Sequence, residues 1–246
     1  MTDWDRVFDE LYLQTYAPLQ RDEDAETLAL GAMRLIGRDA PADVLDAACG
    51  YGRHSRVLAR AGYTVVGLDR SPVLLAEARR RSDGEEGVSW LEGDYRELPL
   101  PAASFDVVVN LFSSFGFFGD DGDADVLAEF RRVLRPGGAL VLETMHRDRL
   151  MAIFHEQDWE DLPDGAVRLD RRALDLVEGV VEATLTYWPR AGEPATVEYR
   201  LRVYTATELA RMAADAGFAE AAFYGGPDGA PLTRESRLVL VARKGF

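Results

Sequence analysis

The chain of 246 residues carries 28 basic and 43 acidic side chains, which gives a formal net charge of −15 at pH 7. This acidic balance, with no stripe of Lys or Arg, argues against nucleic acid or an anionic membrane as a partner, because polyanions bind to basic faces. Hydrophobic residues make up 47% of the chain, which is enough for the core of one α/β domain with an insertion.

The amino terminus and the cysteine content favour a cytoplasmic protein. Residues 1–5 lack the basic region and apolar run of a secretory signal. No stretch reaches the roughly 18 consecutive apolar residues of a membrane span. Cys49 is the single cysteine, so no internal disulfide can form, and we expect it to be a small buried residue beneath a loop.

Strand-like and helix-like segments alternate along the first half of the chain. Leu28, Leu35 and Ile36 stand at helical spacing and predict the first helix. Such alternation is typical of a parallel sheet with helices on both faces. Helices are predicted over residues 22–37 and 53–61, from Ser71-Pro72 onwards, and over 123–134; strands are predicted over 44–47, 64–68, 88–91, 105–109 and 139–142.

The pattern changes near Gly165, where about three antiparallel strands are predicted to run up to Tyr204. Apolar residues at positions 197, 199, 201 and 203 alternate with charged ones, which is typical of a half-buried strand. The remaining predicted elements are a helix opened by the capping residues Thr205 and Glu208 and ended by Gly217, and two final strands at 218–224 and 237–241.

The segment D-A-A-C-G-Y-G, residues 46–52, lies directly between the first predicted strand and the next helix. Glycines allow a ligand to approach the backbone closely, and the helix amino terminus offers unpaired N–H groups. Asp69 follows at the end of the second strand, about 20 residues further on, where a residue that binds ribose hydroxyls is expected. The pattern therefore predicts a nucleotide-type site.

Two cofactor classes use such a loop, and the residues of this chain distinguish them. Dinucleotide sites normally read G-x-G-x-x-G and hold a pyrophosphate at the helix amino terminus. Here Ser55 occupies the third glycine position, and Asp46 immediately precedes the loop. A carboxylate there repels a pyrophosphate but suits an ammonium group, so the pattern favours a cationic ligand such as a sulfonium amino acid.

Five motifs in order resemble those of class I S-adenosylmethionine-dependent methyltransferases. The resemblance covers residues 44 to about 144 and implies a Rossmann-like, seven-stranded, mostly parallel sheet whose last strand is antiparallel. The segments are V-L-D-A-A-C-G-Y-G (44–52, similar to motif I), G-L-D (67–69, motif II), G-D-Y-R-E-L-P (93–99, motif III), F-D-V-V-V-N (105–110, motif IV) and V-L-R-P-G-G (133–138, the turn before strand five).

The resemblance also implies S-adenosyl-L-methionine as the cofactor, S-adenosyl-L-homocysteine as the product and direct in-line transfer of the methyl group. In the family, the acid of motif II binds both ribose hydroxyls, and the acid of motif III accepts a hydrogen bond from the adenine amino group. An amino-terminal segment, here containing Tyr16, folds over the cofactor. The predicted cofactor-binding residues are Tyr16, Asp46, Ala47, Gly50, Gly52, Asp69, Arg70, Asp94, Tyr95, Asn110 and Leu111.

More narrowly, L-F-S-S-F-G-F-F, residues 111–118, resembles a subgroup that acts on small molecules. It includes sugar N-methyltransferases and glycine or sarcosine methyltransferases, and it has an antiparallel insertion after strand five. We therefore expect transfer to an N or O atom of a small molecule by a monomer or homodimer. The expected domains are a helical lid (1–40), a cofactor-binding domain (41–146 and 205–246) and an antiparallel insertion that covers the substrate (147–204).

The substrate pocket is expected between motif IV, the amino-terminal segment and the insertion. An amine acceptor needs only its neutral form, whereas a hydroxyl acceptor needs a base. His146 follows strand five at the ligand edge and is the candidate base. Candidate lining residues are Tyr12, Ser113, Ser114, Phe115, Trp159 and Trp188.

Three alternatives stay open at this stage. The acids between Asp120 and Asp125 would suit a metal, but a solvated loop at a helix amino terminus explains them more simply, and no metal is expected. A nicotinamide-dependent oxidoreductase would need the glycine that Ser55 replaces. A non-catalytic S-adenosylmethionine-binding protein would retain the same acids in motifs I to III.

Overall fold

A computed structural model describes residues 4–246 of the chain, which form a main sheet of seven strands and a second sheet of four. The strands are β1 (Asp43–Ala47), β2 (Thr64–Asp69), β3 (Val88–Glu92), β4 (Phe105–Asn110), β5 (Leu134–Thr144), β6 (Gln157–Asp161), β7 (Val167–Asp175), β8 (Val180–Trp188), β9 (Ala195–Arg202), β10 (Glu220–Tyr224) and β11 (Leu238–Arg243).

The main sheet has the strand order β10-β11-β5-β4-β1-β2-β3. Neighbouring strands among β1 to β5 pair in parallel, whereas β11 runs antiparallel to both β5 and β10. This confirms the predicted mostly parallel sheet with a reversed last strand. The strand order changes direction between β1 and β4, and open α/β sheets bind ligands at the carboxyl ends of strands beside such a switch.

Helices cover both faces of the main sheet because its central strands are apolar on both sides. In β5, Leu140 and Leu142 pack with α6 and α8, while Ala139 and Val141 pack with α3 and α4 on the opposite face. The helices are α1 (Trp4–Val7), α2 (Glu10–Thr15), α3 (Asp22–Ile36), α4 (Arg53–Arg60), α5 (Pro72–Arg81), α6 (Gly119–Val133), α7 (Arg147–Ile153) and α8 (Ala206–Asp215), with a 3₁₀ turn at Ala17–Leu19.

Local sequence sets several helix ends. The Ser71 hydroxyl accepts a hydrogen bond from the Leu74 N–H at 3.2 Å and caps α5. Thr205 and Glu208 form the predicted capping box at the start of α8. Gly37 ends α3 with a left-handed φ of 64°, a conformation that glycine adopts at low cost. Local side-chain chemistry thus determines these boundaries.

The second sheet is antiparallel in the order β6-β7-β8-β9 and follows strand β5 in the chain, as the insertion was predicted to do. It packs against the amino-terminal helices, where Val7 and Leu11 contact a cluster that includes Leu185 and Val197. Strand β6 was not predicted. All five of its residues are exposed, so it lacks the apolar alternation by which a strand is recognised.

Two boundaries in the main domain differ from the prediction. Strand β5 begins at Leu134 and includes R-P-G-G, which was expected to form a turn, because Leu134 already pairs with Phe105 before a register shift. Helix α6 begins at Gly119, four residues earlier than expected.

Among residues 4–246, no helix combines the length and the hydrophobicity needed to cross a membrane.

Candidate functional site

A cavity lies at the carboxyl edge of the main sheet, beside the switch between β1 and β4. Its wall combines the loops after β1, β2, β3 and β4 with the amino-terminal helices. The predicted site residues in this wall are Tyr12, Gly50, Asp69, Arg70, Tyr95 and Ser114, and those not singled out from the sequence are Phe8, Ala48, Leu74, Phe117 and Phe118.

Signals for the additional residues were present in the sequence. Phe117 and Phe118 belong to the L-F-S-S-F-G-F-F segment, and Phe8 precedes Tyr12 by four residues. Leu74 lies in the first turn of α5, directly after the Asp69 loop. These positions follow once the elements are assembled, because each comes from a chain segment that meets the same edge of the sheet.

Asp69, the last residue of β2, connects two loops at the cavity. Its Oδ2 accepts a hydrogen bond from the Gly50 N–H at 2.8 Å, and its Oδ1 accepts one from the Ser71 N–H at 2.9 Å. The residue is 7% exposed, and burial raises the pKa of its carboxyl. The two N–H donors fix this carboxylate in the cavity wall and favour its ionised form.

Gly50 and Gly52 both have left-handed backbones, with φ of 57° and 79°, but they face different surroundings. A Cβ on Gly50 would have no atom within 4 Å, so a ligand can approach the backbone there. A Cβ on Gly52 would lie 2.1 Å from the indole Cη2 of Trp90. Packing against Trp90 therefore requires glycine at position 52, which lies outside the cavity wall.

Asp46 lies beneath the loop and outside the cavity wall. It is 1% exposed, and its Oδ2 accepts a hydrogen bond from the Ser55 hydroxyl at 2.5 Å. Burial raises the pKa of Asp46 to about 7. Ser55, which stands where a dinucleotide motif has its third glycine, therefore supports the acid of motif I.

Asn110, the last residue of β4, is fully buried. Its Nδ2 donates a hydrogen bond to the Ala47 carbonyl at 2.9 Å, whereas its Oδ1 is buried without a partner in the described part of the chain. Ala47 and Leu111 are also buried and lie outside the cavity wall. An unpaired buried amide oxygen is costly unless a donor reaches it.

Asp94 and Tyr95 follow the end of β3, but only one of them lines the cavity. Tyr95 lines the cavity and donates its hydroxyl to the Ser114 carbonyl at 2.8 Å. Asp94 lies outside the cavity wall and pairs with Arg96 at 2.6 Å. Partial burial opposes ionisation of Asp94, but the hydrogen bonds from Arg96 outweigh it and lower the pKa. A ligand donor would therefore share Asp94 with Arg96.

Aromatic side chains of the amino-terminal segment close one side of the cavity. The ring of Phe8 lies 5.8 Å from that of Tyr12 and meets that of Phe117 edge-on at 5.3 Å. Tyr16 stacks on Tyr12 at 5.3 Å but lies outside the cavity wall. Arg168 of β7 covers the Tyr16 ring at 4.6 Å. Tyr16 therefore packs against Tyr12 without lining the cavity itself.

His146, the predicted base, is not brought into the wall of this cavity. The residue is 3% exposed and lies outside the cavity wall. Its Nδ1 is 3.2 Å from the Ser236 carbonyl oxygen, and its Nε2 is 3.5 Å from the Asp148 carboxylate. Both ring nitrogens therefore lie near protein groups, and the role of His146 as a base stays a prediction.

Several predicted substrate-pocket residues also lie elsewhere. Phe115 is fully buried, with its ring 5.6 Å from that of Tyr204, because an apolar side chain at this position enters the core. Trp159 and Trp188 are 69% and 45% exposed on the second sheet, away from the cavity wall. The Ser113 hydroxyl accepts a hydrogen bond from Arg237 at 2.9 Å and also lies outside this wall.

The acids at the start of α6 hold the loop after β4. Asp123 is fully buried and accepts a hydrogen bond from the Tyr204 hydroxyl at 2.7 Å, so the expectation of a solvated acid is wrong here. Burial raises the pKa of Asp123 to about 6. Asp120 pairs with Arg202 at 2.9 Å. Within residues 4–246, no group of three or more His, Cys, Asp or Glu could hold a metal ion.

Comparison with known protein families identifies a match over residues 44–138, to a family described as "Methyltransferase domain". This range contains β1 to β4 and the loops that supply most of the cavity wall.

Two relatives carry methyltransferase names. A malonyl-[acyl-carrier protein] O-methyltransferase of Pseudescherichia vulneris is 30% identical over 222 residues, which cover 89% of this chain and 79% of that protein. A protein of the same name from Enterobacter lignolyticus is 35% identical over 168 residues, which cover 67% of this chain and 61% of that protein. The chain spans about half to three-fifths of the length of several relatives that it matches.

A solved structure extends the similarity to the whole fold. The CcbJ methyltransferase from Streptomyces caelestis superposes with a TM-score of 0.77 at 25% sequence identity. The superposition covers 92% of this chain and 93% of that chain, so it includes the second sheet as well as the main one.

Proposed function

This chain belongs to the class I S-adenosylmethionine-dependent methyltransferases, and we propose that it moves a methyl group from S-adenosylmethionine to a nitrogen or oxygen atom of a small molecule. The 30% identity that spans 79% of the Pseudescherichia vulneris relative carries the family assignment. The reversed β11 at the end of an otherwise parallel order agrees with it. The proposed reaction is a direct in-line displacement.

The observation that carries the proposal is the position of Asp69. This carboxylate is held by two backbone N–H groups in the wall of a cavity at the carboxyl edge of the sheet. One of those N–H groups belongs to Gly50, which has open space in front of it. A buried acceptor beside bare backbone suits a ribose whose hydroxyl groups donate while the rest of the ligand crosses the loop.

The remaining residues fit the cofactor along its length. Leu74 and the Tyr95 ring provide apolar surface for an adenine. Beneath the loop, Asp46 and the unpaired Asn110 Oδ1 provide acceptors for an ammonium group. The Asn110 oxygen tests the fit most directly, because a buried acceptor without a partner costs about 1–3 kcal/mol that a ligand donor would recover.

When bound, S-adenosylmethionine supplies a methyl group that its sulfonium has already made electrophilic. The protein orients the acceptor, which can supply about 7–11 kcal/mol, and Phe8, Tyr12 and Phe117 exclude water from the reacting atoms. Among the described residues of the cavity wall there is no histidine, and two N–H donors already bind Asp69. This supports an acceptor that reacts without a base, such as a neutral amine.

The domain roles are part of the proposal. Residues 1–40 act as a lid, 41–146 and 205–246 hold the cofactor, and 147–204 cover the acceptor. Two contacts support this division: Tyr12 lines the cavity, and Val7 packs against the second sheet. A groove lined by many charged side chains lies between that sheet and the loop after β4, and it would suit a polar acceptor.

The proposed setting is the cytoplasm, with a monomer or homodimer and no nucleic-acid partner. The net charge of −15 supports the last point.

Equilibrium dialysis with S-adenosylmethionine and with NAD tests the cofactor, and labelled methyl transfer to a panel of amines, alcohols and carboxylates tests the reaction. We expect binding of S-adenosylmethionine alone and transfer to amines. Binding of NAD without S-adenosylmethionine would favour an oxidoreductase. Binding of S-adenosylmethionine without transfer to any acceptor would favour the non-catalytic alternative.

A further inference from the structure

Two consecutive residues of the loop after β4, Phe112 and Ser113, form a strained turn. Both have left-handed backbones, with φ of 62° and 61°. Residues other than glycine rarely adopt this conformation, because the Cβ lies too close to the following carbonyl oxygen. Such strain persists only where the surroundings maintain it, and it is concentrated at functional sites. The contacts that maintain the strained turn therefore identify residues on which the loop depends.

A buried acid of β5 supplies two of those contacts. Glu143 is 1% exposed, and its Oε2 accepts a hydrogen bond from the Phe112 N–H at 2.7 Å. The carbonyl oxygen of the same residue accepts a hydrogen bond from the Ser113 N–H at 3.0 Å. Both N–H groups of the strained turn are therefore bound to one residue of a central strand.

Arg237, which directly precedes β11, completes this arrangement. Its guanidinium donates to Oε1 of Glu143 and, at 2.9 Å, to the Ser113 hydroxyl. It also lies 5.9 Å from the centroid of the Phe112 ring. A buried carboxylate is costly unless a cation compensates it, and Arg237 provides that cation. The pair of Glu143 and Arg237 thus joins the strained turn to two neighbouring strands of the main sheet.

The residues that follow the strained turn belong to the cavity wall. Ser114 and Phe117 line the cavity, and the Phe117 ring meets the Phe8 ring of the amino-terminal segment edge-on at 5.3 Å. The Ser114 carbonyl accepts a hydrogen bond from the Tyr95 hydroxyl at 2.8 Å. Because the chain leaves the strained turn directly into this wall, the backbone angles of the turn set the direction of the wall residues.

We propose that Glu143 is a positioning residue for the reaction and that Arg237 supports it. The pair holds the strained turn in the conformation that presents Ser114 and Phe117 to the cavity. Glu143 lies outside the cavity wall, so it acts through the loop and not by touching a ligand. The inference rests on the proposed function, in which this cavity holds the cofactor. It adds a role for an acid that none of the five sequence motifs contains.

The first test measures S-adenosylhomocysteine binding by isothermal titration calorimetry. Glu143→Leu should weaken binding about 10- to 100-fold, because only a fraction of molecules would then keep the strained turn. Glu143→Gln retains an oxygen for the Phe112 N–H and should lose less than about fivefold. The matched control is Asp106→Leu. Asp106 also accepts a backbone hydrogen bond and pairs with an arginine, but at the opposite edge of the sheet, so its affinity loss should stay within about twofold.

The second test addresses the strain itself. Glycine adopts a left-handed φ at low cost, so Ser113→Gly in the Glu143→Leu background should regain at least about threefold of the lost affinity. The matched control is Ser114→Gly in the same background. Ser114 is not left-handed, so glycine there should regain none. A role of Glu143 in stability alone gives no reason for recovery at one position and not at the next. Urea unfolding separates loss of folded protein from loss of affinity.

An unchanged affinity in Glu143→Leu, or an equal loss in Asp106→Leu, would overturn the inference. Equal recovery with Ser114→Gly and Ser113→Gly would do so as well, since it would reflect general flexibility. Failure of the proposed function looks different, because the wild-type protein would then bind no S-adenosylhomocysteine. Hydrogen exchange of the Phe112 and Ser113 amides, measured by NMR without ligand, still tests the pair in that case. Glu143→Leu should accelerate it at least about tenfold, and an unchanged rate would refute the role of Glu143.

Discussion

Replacement of Asp69 by asparagine removes one carboxylate oxygen from the cavity wall and leaves the shape of the side chain unchanged. The carboxylate now accepts hydrogen bonds from the Gly50 and Ser71 N–H groups. In the proposed complex it also accepts from ribose hydroxyls. Since hydrogen bonds to a charged group contribute about 1.5–3 kcal/mol each, loss of one should raise the Kd for S-adenosylhomocysteine about 10- to 150-fold.

The same change should cost some stability. The asparagine amide would leave one of the two backbone N–H donors without an acceptor, a loss of about 1–3 kcal/mol. Burial raises the pKa of Asp69, so a neutral side chain recovers part of the desolvation cost. We therefore expect the lower half of that range. Calorimetric titration and urea unfolding measure the two effects separately.

Asp106→Asn is the matched control for this experiment. Asp106 also accepts a backbone hydrogen bond, from Asp43 at 3.0 Å, but it lies at the opposite edge of the sheet. Its replacement should lower stability and leave the affinity for S-adenosylhomocysteine within about twofold of the wild type. An Asp69→Asn variant that binds as tightly as the Asp106→Asn control would refute the ribose contact.

Three further predictions follow from the described contacts. Gly52→Ala should cost about 2–4 kcal/mol in urea unfolding, because its Cβ would enter the Trp90 ring, while Gly37→Ala, with a similar φ and open space, should cost about 1 kcal/mol; equal losses would contradict a role for the Trp90 contact. The folded-state pKa of Asp123, about 6, exceeds its ordinary value of 3.8, so its contribution to stability is full below about pH 4 and is lost as pH rises through 6. Asp123→Asn should therefore flatten the decline in melting temperature between pH 4 and 7, and an unaltered slope would count against burial as the cause. His146→Gln should lower the melting temperature and keep the methyl-transfer rate within about threefold; a loss beyond about 100-fold would reinstate His146 as a base.

The sequence was most informative where structure depends on near neighbours in the chain. The short apolar runs in β1, β4 and β5 specified a sheet buried on both faces, and Ser71 and Thr205 marked helix starts. The loop at residues 46–52 and Asp69 were recognisable because the glycines and the acid stand at strand ends, where this architecture binds ligands. Strand β6 was missed because its exposed residues carry no such pattern.

The roles of individual side chains were less accessible. His146 follows strand β5, as a base at the ligand edge would. Its ring nitrogens nevertheless lie near the Ser236 carbonyl, which is distant in the sequence, and near the exposed Asp148 carboxylate. Phe115 and Ser114 are adjacent in the sequence, yet one enters the core and the other lines the cavity. Neighbouring residues in an irregular loop have no fixed period, so their directions depend on what the loop packs against.

The sequence by itself determined the sheet, the loop that crosses it and the acid that marks the ribose position, because these depend on local propensity and on strand ends. Only the tertiary structure decided which groups meet across the chain. It brought Tyr12 and Phe8 to the cavity, placed Asp46 beneath the loop, and buried Arg53 against the Phe112 ring. Burial and charge compensation depend on the residues that surround a side chain in the folded protein. Here those residues are far apart in the sequence.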